Sequence, residues 1–402
     1  MPEILFIGKQ AGEIRVAFYE YDKITELYID KNKNGGTMGN VYKGKVQDVI
    51  PGMQAAFVDI GQPKNAFLYT GDIKKDPVDA SEKLRPGRHV IVQVLKETPD
   101  NKGARVTMNL TFAGMYIICI PNGKGAFVSK KIHNRSEKDR LYELACRIRP
   151  EDYGIIMRTE AEGIAEDLIE NDLKFVMKKI KDMDAKKEKC SAPCLLYNGA
   201  DTVEFAIREL LKQSTGKLLV DDTDCYKTVG NILDWYSPDM KSKLAYASVD
   251  ESKYWHDKID ACIVRITGNK VWLKCGGYIV IDRTEALTVI DVNSGKNIGN
   301  KNLRDTVLET NIQAADEIAK QLRLRDIGGV IVIDFIDMKN ENDKKLLLDE
   351  LRKALRADSM RTVVAGITGL NLVEMTRKRR RPDLNILERC PKCKGSGFIR
   401  SE

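Results

Sequence analysis

Histidine is scarce: three residues in a chain of 402, so a His-ligated metal centre or a His-based catalytic triad has little material to draw on. No Gly-x-x-x-x-Gly-Lys-[Ser/Thr] loop occurs, and Ser294-Gly295-Lys296 is not one, which excludes a nucleotide-dependent motor of that type. No apolar run approaches the ~20 residues of a membrane span, and Met1-Pro2-Glu3 opens no signal peptide. Nine cysteines, odd in number and irregularly spaced, make no disulfide framework and point to reduced thiols and a cytoplasmic location. With 43% hydrophobic and 31% charged residues, extensive disorder is not expected. The net charge of +7 permits a polyanionic partner without demanding one. The length exceeds one compact core and predicts two to four domains.

What is present is organised around Leu287 to Met338, where two apolar runs each end in an aspartate. Leu287-Thr288-Val289-Ile290-Asp291 and Val330-Ile331-Val332-Ile333-Asp334 are β-branched and nearly continuous, as for strands buried on both faces of a sheet. Between them Leu303, Val307, Ile312, Ala315, Ile318, Ala319 and Leu322 recur at helical spacing, and Asp326-Ile327-Gly328-Gly329 stops that helix. A strand–helix–strand crossover makes the strands parallel. Asp291 and Asp334 are then expected at one carboxyl edge, about 4.8 Å apart if the strands are neighbours. Two carboxylates so close repel unless a proton or a cation intervenes, and Mg²⁺ is commonly held by one or two carboxylates plus water and phosphate oxygens. Asn293 and Asp337 flank the pair. A lone Asp would more often cap a turn or helix; two in matched positions favour the metal.

Upstream, alternating stretches at Ile14–Phe18 and Thr25–Ile29 predict a hairpin around Tyr21-Asp22-Lys23 that must add to something made later, with a polar hinge at 31–36. From Gly39 to Leu110 the pattern is all-β, with strands near Val41–Val49, Ala55–Ile60 and His89–Leu95, as for a small closed barrel of the OB type. Within it Asn40–Val46, Ala55–Gly61 and Ala66–Leu68 resemble an S1 RNA-binding domain. Phe57, Phe67, Lys43, Lys45 and Lys102 are its candidates for base stacking and phosphate contact; for Phe57, inside an apolar run, a core position competes. Residues 111–205 mix strands (Met115–Ile120, Tyr153–Met157) with helices at Glu137–Arg147 and Ala165–Asp184. Arg158-Thr159 ends a strand and could grip a phosphate or reach solvent. Beyond, helices are expected near Glu204–Gln213, Asp250–Lys258 and Asp343–Leu355, strands at Leu218–Asp222 and Arg361–Ile367, and a turn at Asp221-Asp222. The basic run Met375–Pro382, with Arg377, Arg379 and Arg380, is either a solvated face or an RNA-backbone contact. Cys390-Pro391-Lys392-Cys393 is half of a zinc knuckle or a pair of free thiols; a closed tetrahedral site needs two more ligands, which a second chain would supply.

Taken together, the S1-like segment, Arg283–Gly295, Ala314–Met338 and the terminal Cys-Pro-Lys-Cys resemble the ribonuclease E/G family over essentially the whole chain. The resemblance implies an α+β multidomain protein. An RNase H-like domain (1–35 and 206–266) would be interrupted by the S1 barrel (36–118) and a 5′-sensor region (119–205), and followed by a DNase I-like α/β subdomain (267–388) and a zinc link (389–402). It implies a single-strand-preferring endoribonuclease of RNA processing and decay, rRNA maturation and mRNA turnover included, that leaves 5′-phosphate and 3′-hydroxyl ends. Mg²⁺ would sit on Asp291 and Asp334 with Asn293 beside it, a 5′-monophosphate on Arg158, Thr159 and Arg361, and a structural Zn²⁺ on Cys390 and Cys393 shared in a homodimer. The chain stops where the family usually continues into a small dimerisation domain, so it looks like the short G-type or a minimal form. The alternative is a non-catalytic S1-containing RNA-binding or assembly factor.

Overall fold

The computed structural model describes residues 3–30, 36–72, 84–97, 103–199, 201–212, 214–284, 286–295 and 303–378. Two compact units emerge: Met1–Gln10, Arg15–Ile29 and Ala247–Glu402 form one, and Ala11–Ile14 with Asp30–Tyr246 the other.

The chain opens with β1 (Glu3–Gln10), β2 (Glu13–Glu20) and β3 (Lys23–Asp30). Two-residue loops join them, at Ala11-Gly12 (φ 52° and 83°) and Tyr21-Asp22 (φ 50° and 60°). Positive φ at both central residues is the hairpin turn whose twist matches paired strands. The expected hairpin is therefore present, and β1 extends it.

The second unit begins with the barrel: β4 (Val41–Ile50), β5 (Ala55–Asp59), β6 (Ala66–Tyr69), β7 (His89–Lys96) and β8 (Arg105–Thr107). The strands run β4-β5-β6-β8-β7, and β7 pairs back onto β4 to close the barrel. Its interior holds Val46, Ala56, Val58, Leu68, Val92 and Val106, each fully buried or nearly so. Gly44 is required by this closure, since a Cβ there would lie 2.5 Å from Val58 Cγ1 and 2.9 Å from the Asp59 carbonyl.

β9 (Phe112–Ala113), β10 (Ile117–Pro121), β11 (Ala126–Val128) and β12 (Tyr153–Met157) form a separate sheet ordered β11-β12-β10-β9. Phe112 pairs with Cys119, so the barrel ends before residue 112 rather than at 118. Helices α1 (Arg135–Ile148) and α2 (Glu166–Lys189) belong to this region. Then come β13 (Cys194–Tyr197), which pairs with β4, α3 (Thr202–Leu210), β14 (Thr215–Val220), α4 (Thr223–Tyr236) and β15 (Leu244–Tyr246). The Asp221-Asp222 turn is as expected, and Asp222 caps α4 by accepting the amides of Asp224 and Cys225.

In the first unit, α5 (Val249–Thr267) starts at a capping box between Ser248 and Glu251. It covers β1 by stacking Trp255 on Phe6, ring centroids 5.8 Å apart. That contact supplies the apolar partner the N-terminal strands need. β16 (Lys270–Trp272), β17 (Tyr278–Arg283), β18 (Leu287–Asn293), α6 (Leu303–Leu324), β19 (Gly329–Asp334), α7 (Glu341–Leu355), β20 (Thr362–Ile367) and β21 (Leu372–Arg377) complete it. The sheet order is β16-β17-β18-β19-β21-β20. β18 and β19 are parallel through the α6 crossover, while β21 lies antiparallel between β19 and β20.

Both helices pack on one face of this sheet, where Ile290, Ile331, Ile333, Ile318, Leu322, Leu347 and Leu351 are buried together. Each such aliphatic contributes roughly 1.5–3 kcal/mol. Among the described residues nothing covers the opposite face: Val289 is 36% exposed, Val330 47% and Val363 45%. The expectation of strands buried on both faces is thus corrected. The apolar runs conceal an alternation in which Ile290, Ile331 and Ile333 fill the core while Val289, Val330 and Val332 take the open side.

Candidate active site

Parallel pairing puts Asp291 directly opposite Asp334, so both carboxylates share the open face at the carboxyl edge of two neighbouring strands. Both residues are exposed. Asn293 Nδ2 donates to Asp291 Oδ2 at 2.6 Å. The Asp334 carboxyl is held above its ordinary range, first by desolvation, then by the negative charges of Asp291 and Asp337. Asp337 accepts a hydrogen bond from Asn371 Nδ2 at 3.2 Å. Asn371 stands in the β20–β21 hairpin with φ 63°.

Behind desolvation, the Asp291 and Asp337 charges add the repulsion anticipated from the sequence, which a divalent cation would relieve. Among the described residues no group of three or more His, Cys, Asp or Glu converges as a metal set. Two carboxylates on an exposed edge leave room around a cation for water and phosphate oxygens. Hard carboxylate and amide oxygens are the donor set Mg²⁺ prefers.

On the barrel, Phe57 and Phe67 are cross-strand partners. Their rings meet edge-to-face with centroids 6.0 Å apart. Neither is in the core, and both are half-buried on the outer surface, which resolves the ambiguity over Phe57. Lys45, opposite Asp59, is exposed beside them.

Three residues expected to meet RNA have partners within the chain. Lys43 Nζ donates to the carbonyls of Lys187 and Cys190, each at 2.9 Å, and so caps the end of α2 rather than reaching out for phosphate. Arg377 is 4% exposed. It closes a buried ion triad with Asp358 (2.7 Å) and Asp326 (2.9 Å). It also pairs with Gly329, at the opposite end of β19 from Asp334. Arg158 is 8% exposed; its guanidinium bonds the Gly114 carbonyl at 2.7 Å and both oxygens of Glu209 at 3.1 Å, so its fork is already filled. Thr159 Oγ1 lies 2.9 Å from Ser129 Oγ. Arg361 is exposed and falls in the other unit. Lys102, Arg379, Arg380, Cys390 and Cys393 lie outside the described residues.

Asn371 and Asn311 were not singled out from the sequence. The Gly369-Leu370-Asn371 hairpin signal could have found the first. Nothing local marks the second, which lies in mid-helix.

The chain matches the Ribonuclease E/G family over residues 111–380 and the S1 RNA binding domain over residues 37–109. It is 36% identical to Ribonuclease G of Salmonella typhimurium (strain SL1344) over 412 residues, 99% of this chain and 84% of the relative. It is 34% identical to Ribonuclease G of Haemophilus influenzae, with the same coverage. With Ribonuclease E of Nostoc sp. the identity is 39% over 408 residues, 99% of this chain and 59% of the relative. With a match that spans both carboxylates and relatives aligned along nearly its whole length, the chain belongs to the ribonuclease E/G family.

Proposed function

We propose that this protein is an Mg²⁺-dependent endoribonuclease of RNA processing and decay in the cytoplasm, cutting single-stranded RNA to 5′-phosphate and 3′-hydroxyl ends. The observation that carries the reading is the in-register pair Asp291–Asp334 on an exposed sheet edge. Mg²⁺ held by the two carboxylates would supply Lewis-acid polarisation of the scissile phosphate and neutralise its charge. Asp291 and Asp334 fix the position of that charge because neighbouring strand backbones hold them. The Asn293 amide, bonded to Asp291, restrains that carboxylate and presents its remaining N–H to a water or phosphate oxygen. Phe57 and Phe67 support strand binding by offering ring faces and edges to unpaired bases.

The finer fold implied by the resemblance belongs to the same proposal: an RNase H-like part carrying β1–β3 and a DNase I-like part carrying the carboxylates. So does Zn²⁺ shared by Cys390 and Cys393 of two chains in a homodimer. Sensing of a 5′-monophosphate through Arg158, Thr159 and Arg361 has Glu209 against it, because a phosphate would first have to displace that carboxylate. The second reading, a non-catalytic RNA-binding factor, rests on the Phe57–Phe67 pair and leaves the repelling carboxylates without a purpose.

The test is cleavage of a single-stranded 5′-monophosphorylated RNA with and without Mg²⁺ by wild type, Asp291→Asn and Asp334→Asn. Cleavage should require Mg²⁺ and both carboxylates, while RNA binding persists in either variant. Wild-type-like cutting by either variant overturns the assignment, and binding without cutting by the wild type favours the second reading.

A further inference from the structure

The row of the sheet that contains Asn293 continues sideways into two aromatic rings. Tyr278 is the cross-strand partner of Asn293, and Trp272 is the partner of Tyr278. Directly opposed residues point to the same face of a sheet, and here that is the open face. Val271, Leu273 and Ile279, the alternate neighbours, pack into the core on the other side. Trp272, Tyr278, Asn293, Asp291 and Asp334 therefore share one surface. Strand spacing puts the Trp272 backbone about 10 Å from that of Asn293.

Trp272 is 58% exposed, whereas Trp255 in the same unit is 4% exposed. An indole left in water on an edge strand gives up most of the burial that normally accounts for tryptophan. The Trp272 and Tyr278 rings meet at 62° with centroids 5.3 Å apart. The exposed Lys270 holds its ammonium 3.6 Å from the Tyr278 centroid and 4.4 Å from that of Trp272. Two fixed rings with a cation beside them combine a stacking surface with a partner for a backbone phosphate.

We propose that Trp272 and Tyr278, with Lys270, form a base-stacking platform for the RNA strand that enters the Asp291–Asp334 edge. The inference rests on the RNA-cleaving reading for its ligand, and on the sheet register for its place. The platform holds a nucleotide flanking the scissile phosphate and acts in binding. Trp272 is therefore a positioning residue that takes no part in the chemistry.

The test uses the full chain with Trp272→Ala and Trp272→Phe. In cleavage assays Trp272→Ala should raise KM about tenfold with kcat unchanged, and Trp272→Phe should restore most of the loss because it keeps a ring face. In the cleavage-deficient Asp334→Asn background, RNA should quench tryptophan fluorescence, and Trp272→Phe should remove most of that quench. An abasic site walked along the oligonucleotide should weaken wild-type binding at one position and have no further effect there in Trp272→Ala. If the wild type cleaves while Trp272→Ala keeps its KM and the quench survives Trp272→Phe, the platform is overturned and the proposed function stands. If the wild type does not cleave but the Trp272-dependent quench is present, the platform stands and the proposed function falls.

Discussion

Asn311, in the middle of α6, holds both backbone polar groups of Ile336. Its Nδ2 donates to the Ile336 carbonyl at 2.8 Å, and its Oδ1 accepts the Ile336 amide at 3.1 Å. Asn311 is fully buried, and the segment it grips lies between Asp334 and Asp337. Asn311→Leu leaves two backbone groups without their partner, a cost of about 2–4 kcal/mol. The expected outcome is a lower melting temperature together with a fall in kcat larger than any change in RNA affinity. Thermal melts and steady-state cleavage on the same preparation check both. Normal kcat in a folded variant would show that the grip is dispensable for the chemistry.

Arg377→Ala should destabilise the protein by roughly 3–5 kcal/mol, because it strands Asp358 and Asp326 as buried, unpartnered charges. The salt dependence of RNA binding should stay as it is, since no phosphate contact is lost. Denaturant unfolding and a salt titration of affinity separate this outcome from a phosphate-binding role. A clearly shallower slope in the variant would restore that role.

Phe67→Ala should weaken single-stranded RNA binding by about 1–3 kcal/mol, and Phe57→Ala by a similar amount. Their rings touch, so the double variant should lose less than the sum of the two. Binding isotherms at fixed salt give the three values. Full additivity would mean that the rings act on separate nucleotides.

Glu26 on β3 is 13% exposed and 3.5 Å from Arg323. Burial, as the largest cause, lifts its carboxyl from 4.5 to about 7, against the lowering effect of Arg323. Between those values the folded state holds a proton that the unfolded state has released. Glu26 therefore makes stability fall as pH rises from about 4.5 to 7. Relative to Glu26→Gln, which does not titrate, the wild type should lose up to about 3 kcal/mol across that window. Urea unfolding of both proteins at pH 5 and pH 8 reads the difference, and parallel pH profiles would refute it.

Asp291 and Asp334 were legible because hydrophobic run, helical spacing and a Gly-Gly stop leave one connectivity, a parallel crossover, and the crossover dictates the shared edge. β21 was not legible. Leu372–Arg377 has one charge at each second or third position and runs into further arginines, so it reads as the start of a basic tail. The residues that bury Arg377, Asp326 and Asp358, lie up to 51 positions away in sequence. Lys43 and Arg158 differ for the same reason: a cation on or just after a strand is drawn to phosphate in local reasoning, and only tertiary contact supplies the helix carbonyls or the Glu209 carboxylate. Trp272 and Tyr278 escaped notice because each sits alone among ordinary strand residues, and it is pairing register that sets them beside Asn293.

The stacking of Phe6 on Trp255 sets a schedule for biosynthesis. β1–β3 emerge from the ribosome before the barrel, yet the helix that covers β1 follows almost 250 residues later. At about 5–20 residues per second, Phe6 waits roughly 12–50 s for the indole that stacks on it. During that interval the barrel between them and α5 can close on its own register, from β4 to β7. A ribosome stalled before residue 247 should therefore carry a folded, protease-resistant barrel while Phe6 still lacks its aromatic cover.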